Sequence, residues 1–297
     1  MGQSPDGVAD SSWLRAKAAV SVRVVVAVPC HRDEPGVGST VGELLRQIEQ
    51  LPQARVVVCI NGADPEHAPA ALALAPLAAG TTRLRTVYLE RASKPAAWTR
   101  LKQEEAEVTV FCDADVSLAP GSVGALVAAL AANGSAVLAT ARQRPAEPQG
   151  TIGRVAVVPF RLNWGGVAGT LYAARTAWLP DMPMDVLLDD AWLWSQAAGE
   201  HLGAVVAVPE AVAVFRPAES LRDLWRQRVR AEAGKRQLRS MGLPLADAAP
   251  GSGLSALSAY PRGDWPALVA LAGIKLAASL WSRARPVRWN PAASTKA

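Results

Sequence analysis

Short runs of apolar and β-branched residues recur along this chain, each closed by turn formers and followed by a stretch of helical spacing. Residues 22–28, 55–60, 84–89 and 108–112 are such runs, and they read as strands buried on both faces. Between them, residues 41–51, 68–79 and 96–107 carry helical patterns. This alternation predicts an α/β fold with a mostly parallel central sheet flanked by helices. Further along, helices are expected at 123–132, 185–198 and 221–238, and strands at 135–139 and 203–208. Residues 144–153 and 242–253, rich in Pro and Gly, read as loops.

With 297 residues, half of them hydrophobic, the chain can bury a large core without disulfides. Its three cysteines, Cys30, Cys59 and Cys112, fit neither a disulfide framework nor a zinc motif. Small buried thiols are the simple reading, in a reducing, cytoplasmic setting. The stretch before Trp13 is polar and acidic, without a signal-peptide pattern, and residues 1–21 read as a leader. The formal net charge of +5 is concentrated. Arg226, Arg228, Arg230, Lys235, Arg236 and Arg239 form one basic cluster, and Arg283, Arg285 and Arg288 another. Such clusters attract phosphates or an anionic membrane surface. Residues 265–281 are apolar but too short for a span and carry Lys275, so a packing helix or a peripheral membrane contact is expected there. Nucleic-acid binding is disfavoured, because the basic cluster has no interleaved aromatic beyond Trp225.

The chemistry is written most clearly at Val110-Phe111-Cys112-Asp113-Ala114-Asp115. A buried strand surfaces there into two carboxylates, at the sheet edge where open α/β folds bind ligands. Two hard oxygen donors suit Mg²⁺ or Mn²⁺ together with a substrate diphosphate. Asp115 is the first choice as metal ligand, with Asp113 on the metal or on ribose. Asp33 and Glu34, following Pro29 at the end of the first strand, can hold a ribose hydroxyl or the base, and Asp33 is the favoured member. Asp190, after the apolar Val186-Leu187-Leu188, is the candidate general base, with Asp189 raising its pKa or orienting it. Charging of a helix N-terminus is the plain alternative for that pair. Arg230, with Gln227 and Arg228, can close over a diphosphate. Lys94 offers a compact cation to a phosphate or base. Trp164 and Trp192 can stack on an acceptor, and His31, His67 and His201 lack metal-ligand spacing.

Several motifs fall in one order. Val26-Ala27-Val28-Pro29-Cys30-His31-Arg32-Asp33-Glu34 resembles the first strand and loop of family 2 glycosyltransferases. Asn61-Gly62-Ala63-Asp64 resembles their second-strand turn, and Ser93-Lys94-Pro95-Ala96-Ala97-Trp98-Thr99 their lysine segment. Asp113-Ala114-Asp115 matches their Asp-x-Asp. Gly169-Thr170-Leu171-Tyr172 is similar to their acceptor segment, Leu188-Asp189-Asp190 to their base motif, and Gln227-Arg228-Val229-Arg230 to the start of their Gln-x-x-Arg-Trp signature. The resemblance spans about residues 22–240. It implies a GT-A fold, with a nucleotide-sugar half at 22–140, an acceptor half at 141–240 and a helical extension at 241–297. It further implies an inverting, metal-dependent transfer from a nucleoside-diphosphate sugar, UDP favoured, to a lipid-linked or small-molecule hydroxyl acceptor. Pro29, Asn61 and Lys94 would then touch the donor, and Gly169 the acceptor.

The chain departs from the family pattern at four places: Arg32 replaces Asn, Ile60 an acidic residue, Thr99 Asn, and Ala231 the signature Trp. The last change argues against a processive polysaccharide synthase. Two alternatives stand beside the transferase reading. A sugar-phosphate nucleotidyltransferase would want a Gly-rich loop after the first strand, where Cys30 to Glu34 stand instead. A degenerate, non-catalytic scaffold would not need the paired carboxylates.

Overall fold

The computed structural model describes residues 22–161, 169–201, 203–245 and 260–284. The strands are β1 (Val24–His31), β2 (Ala54–Asn61), β3 (Leu84–Leu89), β4 (Val108–Cys112), β5 (Val116–Leu118), β6 (Leu138–Pro145), β7 (Leu171–Arg175) and β8 (Val205–Phe215). The helices are α1 (Val37–Gln47), α2 (Pro69–Gly80), α3 (Lys94–Lys102), α4 (Ser122–Ala132), α5 (Gly150–Val157), α6 (Asp189–Glu200), α7 (Leu221–Ser240) and α8 (Trp265–Ala284). The strands form a single sheet in the order β3-β2-β1-β4-β7-β6-β8-β5. The first four run parallel, β7 runs against both β4 and β6, β8 returns parallel to β6, and β5 closes the edge antiparallel to β8.

The continuous apolar runs have a simple physical cause. Side chains alternate across a strand, and both faces of this sheet are covered. Val24, Val26, Val28 and Cys30 of β1 pack with Val41 and Leu44 of α1, Leu74 of α2 and Leu126 of α4. Val25 and Ala27 point the other way, toward Trp98 of α3 and Leu193 of α6. On that second face Trp98 stacks on Phe111 at 5.0 Å, and Phe111 on Tyr172 at 5.3 Å. The Trp98 indole N–H donates to the Tyr172 hydroxyl at 2.8 Å, which satisfies the polar end of a fully buried ring.

The structure corrects the reading in four places. Residues 144–153 are not a continuous loop, because β6 extends to Pro145 and α5 begins at Gly150. Those β6 residues pair with β8, and α5 buries Val155 and Ala156 against Ala218, Leu224 and Leu271. β8 does not end before Pro209. Its register against β6 jumps from Ala141↔Val208 to Arg142↔Val212, so a bulge absorbs the proline and the strand continues to Phe215. β7 was hidden in a segment that reads as Gly-rich and then apolar, and its antiparallel insertion makes the sheet mixed. Helix α3 starts earlier than expected, at Lys94, because Ser93 caps it by accepting the Ala96 N–H at 3.2 Å.

Helix α8 packs on α7 and α5. Its Leu271, Ala278 and Ser282 are buried, and Arg236 of α7 donates to the Ser282 hydroxyl at 2.9 Å. The opposite face carries Val269, Leu276 and Leu280, all exposed.

Candidate active site

The topology brings six chain segments to one edge of the sheet. The carboxyl ends of β1, β2, β4, β6 and β8 lie there, and the antiparallel β7 enters from the same edge through Gly169 and Thr170. A cleft of about 420 Å³ opens between these segments, with α6 and α7 as its far wall. The volume is within the range of small-molecule sites.

At its centre Lys94 joins the two halves of the chain. Its Nζ lies 2.9 Å from Asp113 Oδ1 and 2.9 Å from Asp189 Oδ2. Burial alone would lower the Lys94 pKa, but the two carboxylates outweigh it and hold the group well above the usual lysine range. Burial likewise works to raise Asp189, and Lys94, with Arg230 behind it, keeps it below the usual carboxylate range. Lys94 and Arg230 act on Asp190 too, but more weakly than what opposes them. Burial first, and the Asp189 charge second, push it up to about 6. The Ala191 N–H donates to Asp190 Oδ1 at 2.8 Å and fixes the side chain at the first turn of α6. The pKa values of two adjacent carboxylates are thus pushed apart, one down and one up, a pattern that clusters at functional sites.

Two glycines permit this arrangement. A Cβ on Gly169 would lie 2.8 Å from Asp190 Oδ2, so β7 can approach that carboxyl only without a side chain. A Cβ on Gly234 would lie 2.5 Å from Leu188 Cγ, so the glycine lets α7 press against the segment that presents Asp189 and Asp190.

The other expected residues fall in three groups. Pro29, Glu34, Asn61, Asp115, Gln227 and Arg230 line the cleft together with Asp113, Lys94 and the Asp189–Asp190 pair. Asp33 does not. Its side chain is 62% exposed and pairs with Arg32 at 3.2 Å, whereas Glu34 is 1% exposed, with Oε1 accepting the Gly36 N–H. The preference between those two carboxylates is therefore reversed, because the turn after β1 folds Glu34 inward. Trp192 is corrected from acceptor platform to core: it is 4% exposed among Phe111, Tyr172 and Leu193. Trp164 lies outside the described residues. Asn61 lines the cleft, but its amide is already used: Nδ2 donates to the Cys30 carbonyl at 2.7 Å, and Oδ1 accepts the Ser93 N–H at 3.1 Å. It ties β1, β2 and the start of α3 together, so it positions Lys94.

Sequence reasoning missed several cleft residues. His31, Gln143, Thr170, Arg216 and Arg226 line it, and Phe160 meets Phe215 edge-on at 4.7 Å on its rim. The surplus of cations around Arg226 was the available signal. Gln143 and Arg216 carried none, since the bulge in β8 decides where they end. Among the described residues, Arg228 Nε and Thr170 Oγ1 are buried without a hydrogen-bond partner, and both residues line the cleft. Buried donors without a partner are rare, and a bound ligand, ion or water is one way to satisfy them.

Asp113 and Asp115 suit a hard divalent cation by donor type. Among the described residues no cluster of three His, Cys, Asp or Glu side chains is assembled, so substrate oxygens and water would complete the coordination sphere.

No protein-family model matches the sequence, and no curated protein matches it. Solved structures do. A mannosyltransferase from Pyrobaculum calidifontis, solved with GDP-mannose and Mn²⁺, is 22% identical over 89% of this chain and 78% of its own, with a TM-score of 0.58. Glucosyl-3-phosphoglycerate synthase from Mycobacterium tuberculosis, solved with Mn²⁺, UDP-glucose and glycerol 3-phosphate, is 18% identical over 78% of this chain and 83% of its own, at 0.53. At this identity the likeness defines the fold alone: the chain has the GT-A-like architecture of these two structures.

Proposed function

We propose that the cleft is the active site of a metal-dependent, inverting glycosyltransferase, moving a sugar from a nucleoside-diphosphate sugar to a hydroxyl acceptor with Asp190 as general base. The observation that carries this reading is the pairing of Asp113 and Asp189 through Lys94, which sets the proposed donor carboxylates beside a base held near pH 6. The solved neighbours, with Mn²⁺ and a GDP- or UDP-sugar bound, support a divalent ion and this donor class.

In the reaction the acceptor oxygen bonds to the anomeric carbon from the face opposite the diphosphate, and Asp190 takes its proton. The bond from anomeric carbon to diphosphate oxygen breaks, and its electron pair leaves with the phosphate. Asp115, with Asp113, would hold the cation, which when bound neutralises charge on the departing diphosphate. Arg230, Gln227 and Arg228 face the same charge from α7, and the free Arg228 Nε is a donor waiting for an acceptor. Lys94 keeps Asp189 ionised, and that charge keeps Asp190 basic enough to accept a proton near neutral pH. Gly169 lets β7 pack directly against Asp190, which holds the base in place.

Calorimetric titration of UDP, GDP and their sugar conjugates with Mn²⁺, Mg²⁺ or EDTA tests this directly. One nucleotide should bind in a metal-dependent way, and Asp115→Ala should abolish the metal dependence. Absence of nucleotide binding by folded protein would sink the transferase reading and favour the scaffold.

A further inference from the structure

We propose that α8 is a docking helix for an anionic bilayer, lying in the membrane plane with the face that no other described residue covers among the headgroups. The exposed large apolar side chains of the described residues concentrate on this helix. Trp265, Val269, Leu276, Leu280 and Trp281 are 44–73% exposed, and the first four fall on one face at helical spacing. Only 17% of the helix's apolar window is buried, so it is no core helix.

Charge decides what covers that face. The charged residues of α8 are Lys275 and Arg283. Lys275 is turned toward α7, where Arg228, Lys235 and Glu232 surround it. The exposed face therefore carries no charge along its length, while Arg262 and Arg283 stand at its two ends beside Trp265 and Trp281. Tryptophan at one end of an apolar stripe, with arginine at both ends, matches the interface of a bilayer and its phosphates. A second copy pairing through the same face in an antiparallel two-fold contact would set arginine against arginine, which disfavours it.

Length alone would let α8 span a membrane, since 20 residues reach about 30 Å. Its packing argues for the plane instead. The buried side of α8 lies on α7, which carries seven basic and two acidic residues, and a span would have to strip that contact or drag those charges into lipid. Docking in the plane keeps it. Because α7 also presents Gln227, Arg228 and Arg230 to the cleft, the bilayer would hold the cleft close to its surface.

Flotation of the full chain with vesicles of phosphatidylcholine, alone or mixed with phosphatidylglycerol, tests this. Binding should appear on the mixed vesicles, with a blue shift of tryptophan emission, and should weaken with added salt. Val269→Glu/Leu276→Glu, at positions free of packing, should weaken it by roughly tenfold or more at unchanged circular dichroism and Tm. Arg262→Glu/Arg283→Glu should weaken it on anionic vesicles while leaving the apolar face intact. Absence of binding to mixed vesicles, or equal binding by wild type and the Val269/Leu276 variant, would overturn the proposal. So would a wild-type dimer in light scattering that the variant dissociates and that ignores vesicles, since a second copy would then cover the face.

Discussion

Asp190 carries the most sharply testable consequences at the residue scale. If it is the base, kcat/KM should climb with pH through about 6 and level off above it, because only the carboxylate can take the acceptor proton. Asp190→Asn should lose about 10²–10⁴-fold in transfer while keeping metal-dependent donor binding. The same substitution should stabilise the fold. Its carboxyl ionises near 3.9 when unfolded and about 6 when folded, so between those values the native state holds the extra proton. Wild-type stability therefore falls as pH rises across that window, and the amide escapes the loss. The variant's advantage in chemical denaturation should be absent below pH 4 and reach about 3 kcal/mol above pH 6. Lys94 should behave in the opposite sense. Lys94→Met strands two carboxylates around a buried gap and should cost about 3–5 kcal/mol, part of which Lys94→Met/Asp189→Asn recovers in a double-mutant cycle.

At the scale of elements, the contact of α7 with the segment before α6 sets the far wall of the cleft. Gly234→Ala drives a methyl group into Leu188, and the wall must shift to admit it. The expected result is a loss of about 1–3 kcal/mol in denaturant unfolding, with transfer falling more than donor binding. Elements were legible in the sequence where one physical signal dominated. The strands β1 to β4 announce themselves because both faces are buried, and Asp113 and Asp115 because a fully buried strand ends at them. The second half of the sheet was harder. β7 is short and follows glycines, and β8 crosses a proline through a bulge that only its partner strand makes affordable. Asp33 and Glu34 are adjacent carboxylates with the same local pattern, and the direction of one turn separates them. Trp192 offered the same difficulty, since a tryptophan for stacking on sugar and one for filling a core look alike until the helix face is known.

For the whole molecule, the cleft is distributed: its lining reaches from Pro29 to Ala231 and includes residues from strands, loops and the helices α3, α6 and α7. A donor that bridges these segments should stabilise the fold as a unit. With the cation present, donor at a hundredfold excess over its Kd should add about 2.7 kcal/mol to unfolding, visible as a Tm rise that EDTA removes.

The place of β7 between β4 and β6 also bears on synthesis. On the ribosome β1 to β4 emerge first and can pair at once, but the open side of β4 waits for Leu171–Arg175, made long afterwards. Until then a nascent chain carries a bare hydrogen-bonding edge beside Phe111 and Cys112, the kind of surface that recruits stray strands. A fragment ending at residue 140 should therefore self-associate when expressed alone, and chaperone dependence should concentrate in the interval before residue 175 is made.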